Sequence, residues 1–266
     1  MEQRGLAQTH GIAFLMFHEL ERAGCALLSS DPGYVHYVVR EADFRVQMAG
    51  LREAGFKGAT VSEALRESEL DDRKLAVITF DDGCETDLTV AAPVLREAAF
   101  GATFFVTVDW INRAGHLTAP QLRELAAAGF EIGCHSLSHP HLPALSEQAL
   151  AREIGEAKSR LEDLLGARVN HFACPGGGWD RRVARTAYGF GYESVSTSVP
   201  RTNRASDDRF RLGRIPVLRG TPCSALPAWC RGRGLFRLRA GNQVRAMARA
   251  CVGASRYDQL RRSLLR

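Results

Sequence analysis

Asp81 and Asp82 stand side by side and are followed by Gly83. Adjacent carboxylates repel, and the pair is costly unless a cation or hydrogen-bond donors offset it. In a regular strand the two would point to opposite faces, but a glycine behind them permits a sharp turn that aims both into one pocket. Taken alone, a solvated acidic turn is the plainer reading. His135 and His139 are four residues apart. On one helical turn they share a face, which lets two imidazoles reach one divalent ion. Most isolated pairs of this spacing are surface histidines, but this one follows a strand, as the aspartates do. One Asp with two His makes a three-ligand site with positions open for water and substrate, the arrangement of hydrolytic metal centres. The other Asp is then free to act as a general base. His141 fits the spacing less well and reads as a surface residue.

Two further stretches carry chemical groups. In Cys174-Pro175-Gly176-Gly177-Gly178-Trp179-Asp180 the glycines let backbone approach a ligand, and exposed N–H groups there stabilise an oxyanion. The same glycines also make an ordinary flexible loop. Trp179 reads either as a sugar-stacking wall or as packing. Cys174 has no marked His partner and reads as core or wall. His18, in Phe17-His18-Glu19, is either a structural histidine or, at the mouth of a barrel, a general acid.

Each of these stretches follows an apolar run. Runs at 12–17, 75–80, 101–106, 130–134, 169–173, 192–197 and 215–218 predict strands. Helices are predicted over 91–99, 119–128 (capped by Thr118), 146–165 and 180–188. Phe44, Met48 and Leu51 recur at helical spacing before Gly55, and Ser62 opens a short helix. Residues 20–40 read as a loop. Strands alternating with helices imply an α/β fold with a parallel sheet. Chemistry then belongs at the carboxyl ends of the strands, where the candidate residues sit.

The chain has 266 residues, 45% hydrophobic and 24% charged, which excludes collagen, a disordered tail protein and a disulfide-stapled miniprotein. No apolar run reaches the roughly 18–20 residues that span a bilayer. The start, a short apolar stretch at 11–17 followed by His18-Glu19, lacks the form of a signal peptide. Seven scattered cysteines read as reduced thiols in a cytosolic chain. The net charge of +5 is uneven: from Arg231 to Arg266 ten Arg face one acid, so this tail carries +9 and the rest −4. We therefore divide the chain into a catalytic domain at 1–225 and a basic, Arg-rich helical extension at 226–266. Such a tail attracts anionic lipid, nucleic acid or an acidic partner. Alternatively it packs on the body through Leu235, Phe236, Leu238, Val244, Met247, Cys251 and Leu260. It lacks interleaved aromatics that stack bases, so nucleic acid is not expected.

Thr79-Phe80-Asp81-Asp82-Gly83 resembles the first motif of the polysaccharide deacetylases, carbohydrate esterase family four. His135-Ser136-Leu137-Ser138-His139 resembles their second. Order and strand context agree over roughly residues 12–220. The resemblance implies a distorted (β/α) barrel and metal-dependent removal of N-acetyl groups from amino-sugar polymers. It implies that Asp82, His135 and His139 bind Zn²⁺, or else Co²⁺, Ni²⁺ or Mn²⁺. Asp81 becomes the base acting on the attacking water. The Gly176 N–H would hold the oxyanion, and Pro175 and Trp179 would border the substrate. The family's late Leu-x-His motif, source of the general acid, is absent, and no His follows His171. A subgroup similar to biofilm poly-N-acetylglucosamine deacetylases carries the acid in an N-terminal Tyr-His motif. Phe17-His18 occupies that place, which makes His18 the acid. The third motif, Arg-x-Pro-[Tyr/Phe]-Gly, stands here as Ala173-Cys174-Pro175-Gly176-Gly177. Its Arg is missing, and Arg214 is read as the substitute.

The expected function is thus a metal-dependent deacetylase of an N-acetylated saccharide or glycan precursor. Its expected place is the cytoplasm, with the tail touching the anionic inner membrane face. The alternatives are hydrolysis of another amide or ester at the same site, and a non-catalytic carbohydrate-binding relative. Pure binding needs no base beside a metal, which argues against the last.

Overall fold

The computed structural model describes residues 11–67, 74–236 and 238–241. Seven short strands form its frame: β1 Ile12–Phe17, β2 Leu75–Phe80, β3 Thr103–Val106, β4 Glu131–Cys134, β5 His171–Ala173, β6 Ser194–Ser196 and β7 Ile215–Pro216. From β1 through β6 each strand pairs in parallel with the next, and β7 pairs in parallel with β1. Residues 212–216 join the two edges. Leu212 bridges Ser196 at one end, and Ile215 and Pro216 pair with Leu15 and Met16 at the other. The sheet therefore curls back on itself as a distorted (β/α) barrel.

The alternation of side chains along the strands divides the interior in two. Phe14, Val77, Phe105, Ala173 and Leu212 form an inner cluster. Their neighbours Ala13, Leu15, Ala76, Ile78 and Phe104 belong to an outer core. The helices cover this outer core: α1 Glu41–Glu53, α2 Ala92–Ala98, α3 Ala119–Ala127, α4 Ala157–Leu165 and α5 Arg181–Gly189. Thr118 caps α3 through a reciprocal pair of bonds with Gln121.

Several predicted boundaries move. The helix expected to start at 91 begins with a π turn, Asp87–Ala91, ahead of Pro93, which has no N–H to donate. The helix expected over 146–165 is interrupted by a second π turn, Arg152–Glu156. Residues 20–40, expected as a loop, contain a helical turn at Pro32–Val35 and a parallel pair, Leu20–Glu21 with Val39–Arg40. Lys57–Ala59 adds a strand beside β2 that the periodicity did not indicate.

The lower end of the barrel is closed by a buried polar network. His171 joins Ser194 Oγ at 2.9 Å and Ser62 Oγ at 2.8 Å. Glu131 accepts bonds from the Thr103 hydroxyl and from the Val61 N–H at 3.0 Å. Burial by itself would raise the Glu131 carboxyl. The hydrogen bond and charge of His171, with the Ser62 and Thr103 hydroxyls, pull it down to about 2 instead. A depressed carboxyl adds stability that is complete above its unfolded value and is lost as pH falls through its folded one. The unfolding free energy should thus drop by about 3 kcal/mol from this group between pH 5 and pH 2. Denaturant titrations across that range should show Glu131→Gln lacking this part of the slope; equal slopes would remove the assignment.

Within the described residues, the extension packs on the body. Leu226, Trp229, Cys230 and Leu235 join the outer core, whereas Phe236 is 81% exposed. Val244, Met247, Cys251, Leu260 and most of the tail's arginines lie outside the described residues. No described helix is long and apolar enough to cross a membrane.

Candidate metal centre

Along β2 and just past it, alternate residues climb the barrel interior. Val77 lies in the inner cluster, Thr79 donates to Leu15 O at 2.9 Å, and Asp81 reaches the mouth. The same alternation would turn Asp82 away from the lumen. Instead its backbone adopts the left-handed region (φ 81), with Gly83 also positive at φ 76. This reversal brings both carboxylates to one cavity, and a non-glycine residue in that conformation is strained.

Asp81 is locked by Arg214. The guanidinium donates from Nη1 to Oδ1 at 2.6 Å and from Nη2 to Oδ2 at 2.7 Å, and both side chains are buried. Arg214 precedes β7, whose Ile215 faces the outer core, so Arg214 and Pro216 point inward. Its Nε also donates to Thr197 O at 3.1 Å.

The histidine pair meets the aspartates in a different way from that expected. Residues 135–140 form no helical turn. Ser136 and His139 both take positive φ, at 68° and 65°, and this folds the loop so that the two rings converge. Their centroids lie 5.1 Å apart. The π turn explains how the loop is held. Leu137 N–H donates to Glu153 O at 3.1 Å, and Ser138 N–H and Oγ donate to the Glu153 carboxylate at 2.9 and 2.6 Å. A wider turn leaves a carbonyl outside the helical ladder, and such turns recur at functional sites. Glu153 was not legible as a site residue, because only the fold brings it to this loop.

Asp82 Oδ1 lies 3.6 Å from His135 Nε2 and 3.5 Å from His139 Nε2. Donor atoms of all three residues lie within 4.8 Å of one another. Asp82 Oδ1 is buried and has no hydrogen-bond partner among the described residues. His135 gives its Nδ1–H to Ala173 O at 2.9 Å, which leaves the Nε2 lone pair turned into the site. An orphaned carboxylate oxygen facing an oriented imidazole is the donor set a divalent cation requires. The residues fit the predicted ion.

The electrostatics separate the two aspartates. Burial would raise Asp81, but the charge of Arg214 overrides it, with help from His135, and holds the carboxyl well below the usual carboxylate range. Burial pushes Asp82 up to about 6; nearby His18 opposes this, and the Asp81 charge adds to it. Burial pushes His135 down to about 3 despite the pull of Asp81, so the ring is neutral and able to ligate.

The cavity above these groups measures about 590 Å³. His18, Tyr37, His141, Gly176–Gly178, Trp179 and Ser198 line it. His18 Nδ1 is buried without a hydrogen-bond partner, and its ring lies 5.0 Å from that of Tyr37. His141, read as a surface residue, is exposed yet borders the cavity. Pro175 is buried beneath the glycine turn, where Gly176 takes φ 56. The Gly177 and Gly178 N–H groups bond to Cys174 O and Pro175 O; the Gly176 N–H takes part in neither bond. Trp179 also borders the cavity, but its ring is already engaged. Nε1 donates to Phe210 O at 2.7 Å and the Arg211 guanidinium lies 4.6 Å over the ring, so part of the expected sugar-stacking face is taken. Cys174 is fully buried and its thiol is pushed up by burial, as suits a core residue.

Known proteins resemble this chain in sequence and in fold. A family model described as polysaccharide deacetylase matches residues 69–195. The Bacillus subtilis protein YxkH, which carries a polysaccharide deacetylase name, is 27% identical over 72% of this chain and 70% of its own length. The chitooligosaccharide deacetylase of Sinorhizobium fredii is 33% identical over 46% of this chain; the match spans 56% of that relative. The deacetylase PplD of Streptococcus pyogenes, solved in complex with acetate, superposes with a TM-score of 0.73. It covers 81% of this chain and 96% of its own, at 22% identity, which establishes shared fold. Residues 69–195 thus match the polysaccharide deacetylase model, and the barrel that carries them has the fold of PplD.

Proposed function

We propose that this protein is a metal-dependent deacetylase that hydrolyses the N-acetyl group of an N-acetylated saccharide. The observation that carries the reading is the orphaned Asp82 oxygen facing the Nε2 atoms of His135 and His139, with an Arg-locked carboxylate beside it. The relatives named for chitooligosaccharide and polysaccharide deacetylation support the substrate class.

A divalent ion on Asp82, His135 and His139 would supply, when bound, a Lewis acid that polarises the amide carbonyl and makes a nearby water more acidic. Two imidazoles and a carboxylate suit Zn²⁺ best, and Co²⁺, Ni²⁺ and Mn²⁺ accept the same donors. Asp81 takes the proton of the attacking water. Each of its oxygens keeps a lone pair beyond the Arg214 bond, and the bidentate lock fixes their direction. His18, on the wall of the same cavity, gives a proton to the departing amine nitrogen. The glycine turn lets the substrate approach backbone closely, and the Gly176 N–H serves the oxyanion.

Acetate release from N-acetylglucosamine oligomers and from lipid-linked and nucleotide-linked N-acetyl sugars tests this. Release that stops with chelator and returns with Zn²⁺ is expected. No acetate from any member of the panel, or release indifferent to chelator, would overturn the reading.

A further inference from the structure

The metal centre also receives support from a segment that contributes no ligand. Residues 107–117 follow β3, which pairs with β2 on one side and β4 on the other. At one end, the Val108 and Asp109 N–H groups donate to Ser136 O at 3.2 Å and Leu137 O at 2.8 Å, on the histidine loop. At the other end, Leu117 N–H donates to Gly83 O at 2.9 Å, and Gly115 O accepts from Glu85 N–H at 2.9 Å. The segment is thus bonded to both loops whose spacing sets the distance from Asp82 to His139. Next to Asp109 the half-buried Trp110 lays its indole on the His139 ring, with centroids 5.0 Å and planes 24° apart. His116 meets the same indole edge-on at 5.2 Å.

The two histidines are oriented by different means. His135 is buried and held by Ala173 O. The His139 side chain is 30% exposed, and its backbone sits in the left-handed region. A flat ring pressed on an imidazole restricts rotation about its last side-chain bond while leaving the ring edge free. We infer that Trp110 is a positioning residue for the cation site: stacking keeps His139 Nε2 aimed at Asp82, and the segment bearing it braces the two ligand loops. This rests on the metal-site reading proposed above.

The test compares wild type with Trp110→Phe, which keeps a flat ring, and Trp110→Leu, which is apolar but not flat. Zn²⁺ affinity is measured by competition with a chromophoric chelator, and the Co²⁺ absorption spectrum reports ligand geometry. Trp110→Phe should stay close to wild type. Trp110→Leu should bind Zn²⁺ about tenfold or more weakly, as expected when a ligand loses its orienting partner, and its Co²⁺ bands should shift. Thermal unfolding of the ion-free proteins checks that both variants fold. Should Trp110→Leu not fold, fluorescence decides: Zn²⁺ should change the emission of wild type well beyond that of Trp110→Phe, whose Trp179 borders the same cavity. Wild-type affinity and spectrum in Trp110→Leu, or the same emission change in Trp110→Phe, overturns the role of Trp110 and leaves the site reading intact. A wild-type protein that takes up neither ion overturns both.

Discussion

Asp81→Asn should retain the ion and lose turnover by about 10²–10⁴-fold, the range set by removing a positioned general base. The geometry leads to this split. Asp81 spends its charge on Arg214, with both oxygens engaged at 2.6 and 2.7 Å, whereas Asp82 has a buried oxygen with no partner beside the two imidazoles. Asn keeps one acceptor for the guanidinium and no basic oxygen, so substrate affinity should change far less than kcat. His135→Ala is the contrasting case and should lose ion and turnover together. Equilibrium dialysis with metal analysis, run beside acetate release on the same preparations, reads both quantities. Loss of the ion in Asp81→Asn would reverse the roles given to the two aspartates.

The second large effect concerns stability. Arg214→Met should cost about 3–5 kcal/mol at neutral pH, the range for leaving a buried charge without its partner. Arg214 is fully buried and Asp81 is 2% exposed, so water cannot take over the solvation of the stranded carboxylate. The pH dependence has a definite sign. In the wild type the Asp81 carboxyl is held low, and its contribution is complete above the unfolded carboxyl value and lost in acid. Without Arg214, burial raises that carboxyl, and folding then favours the protonated form. The deficit should therefore be larger at pH 7 than at pH 5, because protonation relieves the stranded charge. Arg214→Lys restores a charge without the planar fork and should recover only part of the loss. Urea unfolding at both pH values measures this, and a deficit below 1 kcal/mol at pH 7 would mean the pair is not what holds this part of the barrel.

How far these features could be read in advance depended on the range of the forces involved. The runs around 12–17 and 75–80 became β1 and β2 with unchanged limits, because runs of six residues with at most one polar member leave few alternatives. The weaker runs shortened by one to three residues, as at 130–134 and 192–197, where Phe130, Tyr192 and Thr197 are buried but lie outside the strand ladder. The Asp and His motifs were visible as residue types in order. Their convergence was expected, but its means was not, since it depends on positive φ at Asp82, Ser136 and His139, conformations that composition does not signal in non-glycine residues. Arg214 could be suspected only by the absence of an arginine two residues before Pro175. Trp110 and Glu153 carried no signal at all, because each matters only through what the chain places opposite it.

The strand that closes the barrel also arms it. Every donor of the cation site has left the ribosome once residue 139 is out, yet the counter-charge for Asp81 comes from 133 positions further along. A nascent or partly unravelled molecule can therefore own a full ligand set while its would-be base floats without an anchor. Docking of residues 212–216 supplies that anchor and seals the wall in a single event. On the reading proposed above, hydrolytic competence is in this way tied to completion of the ring.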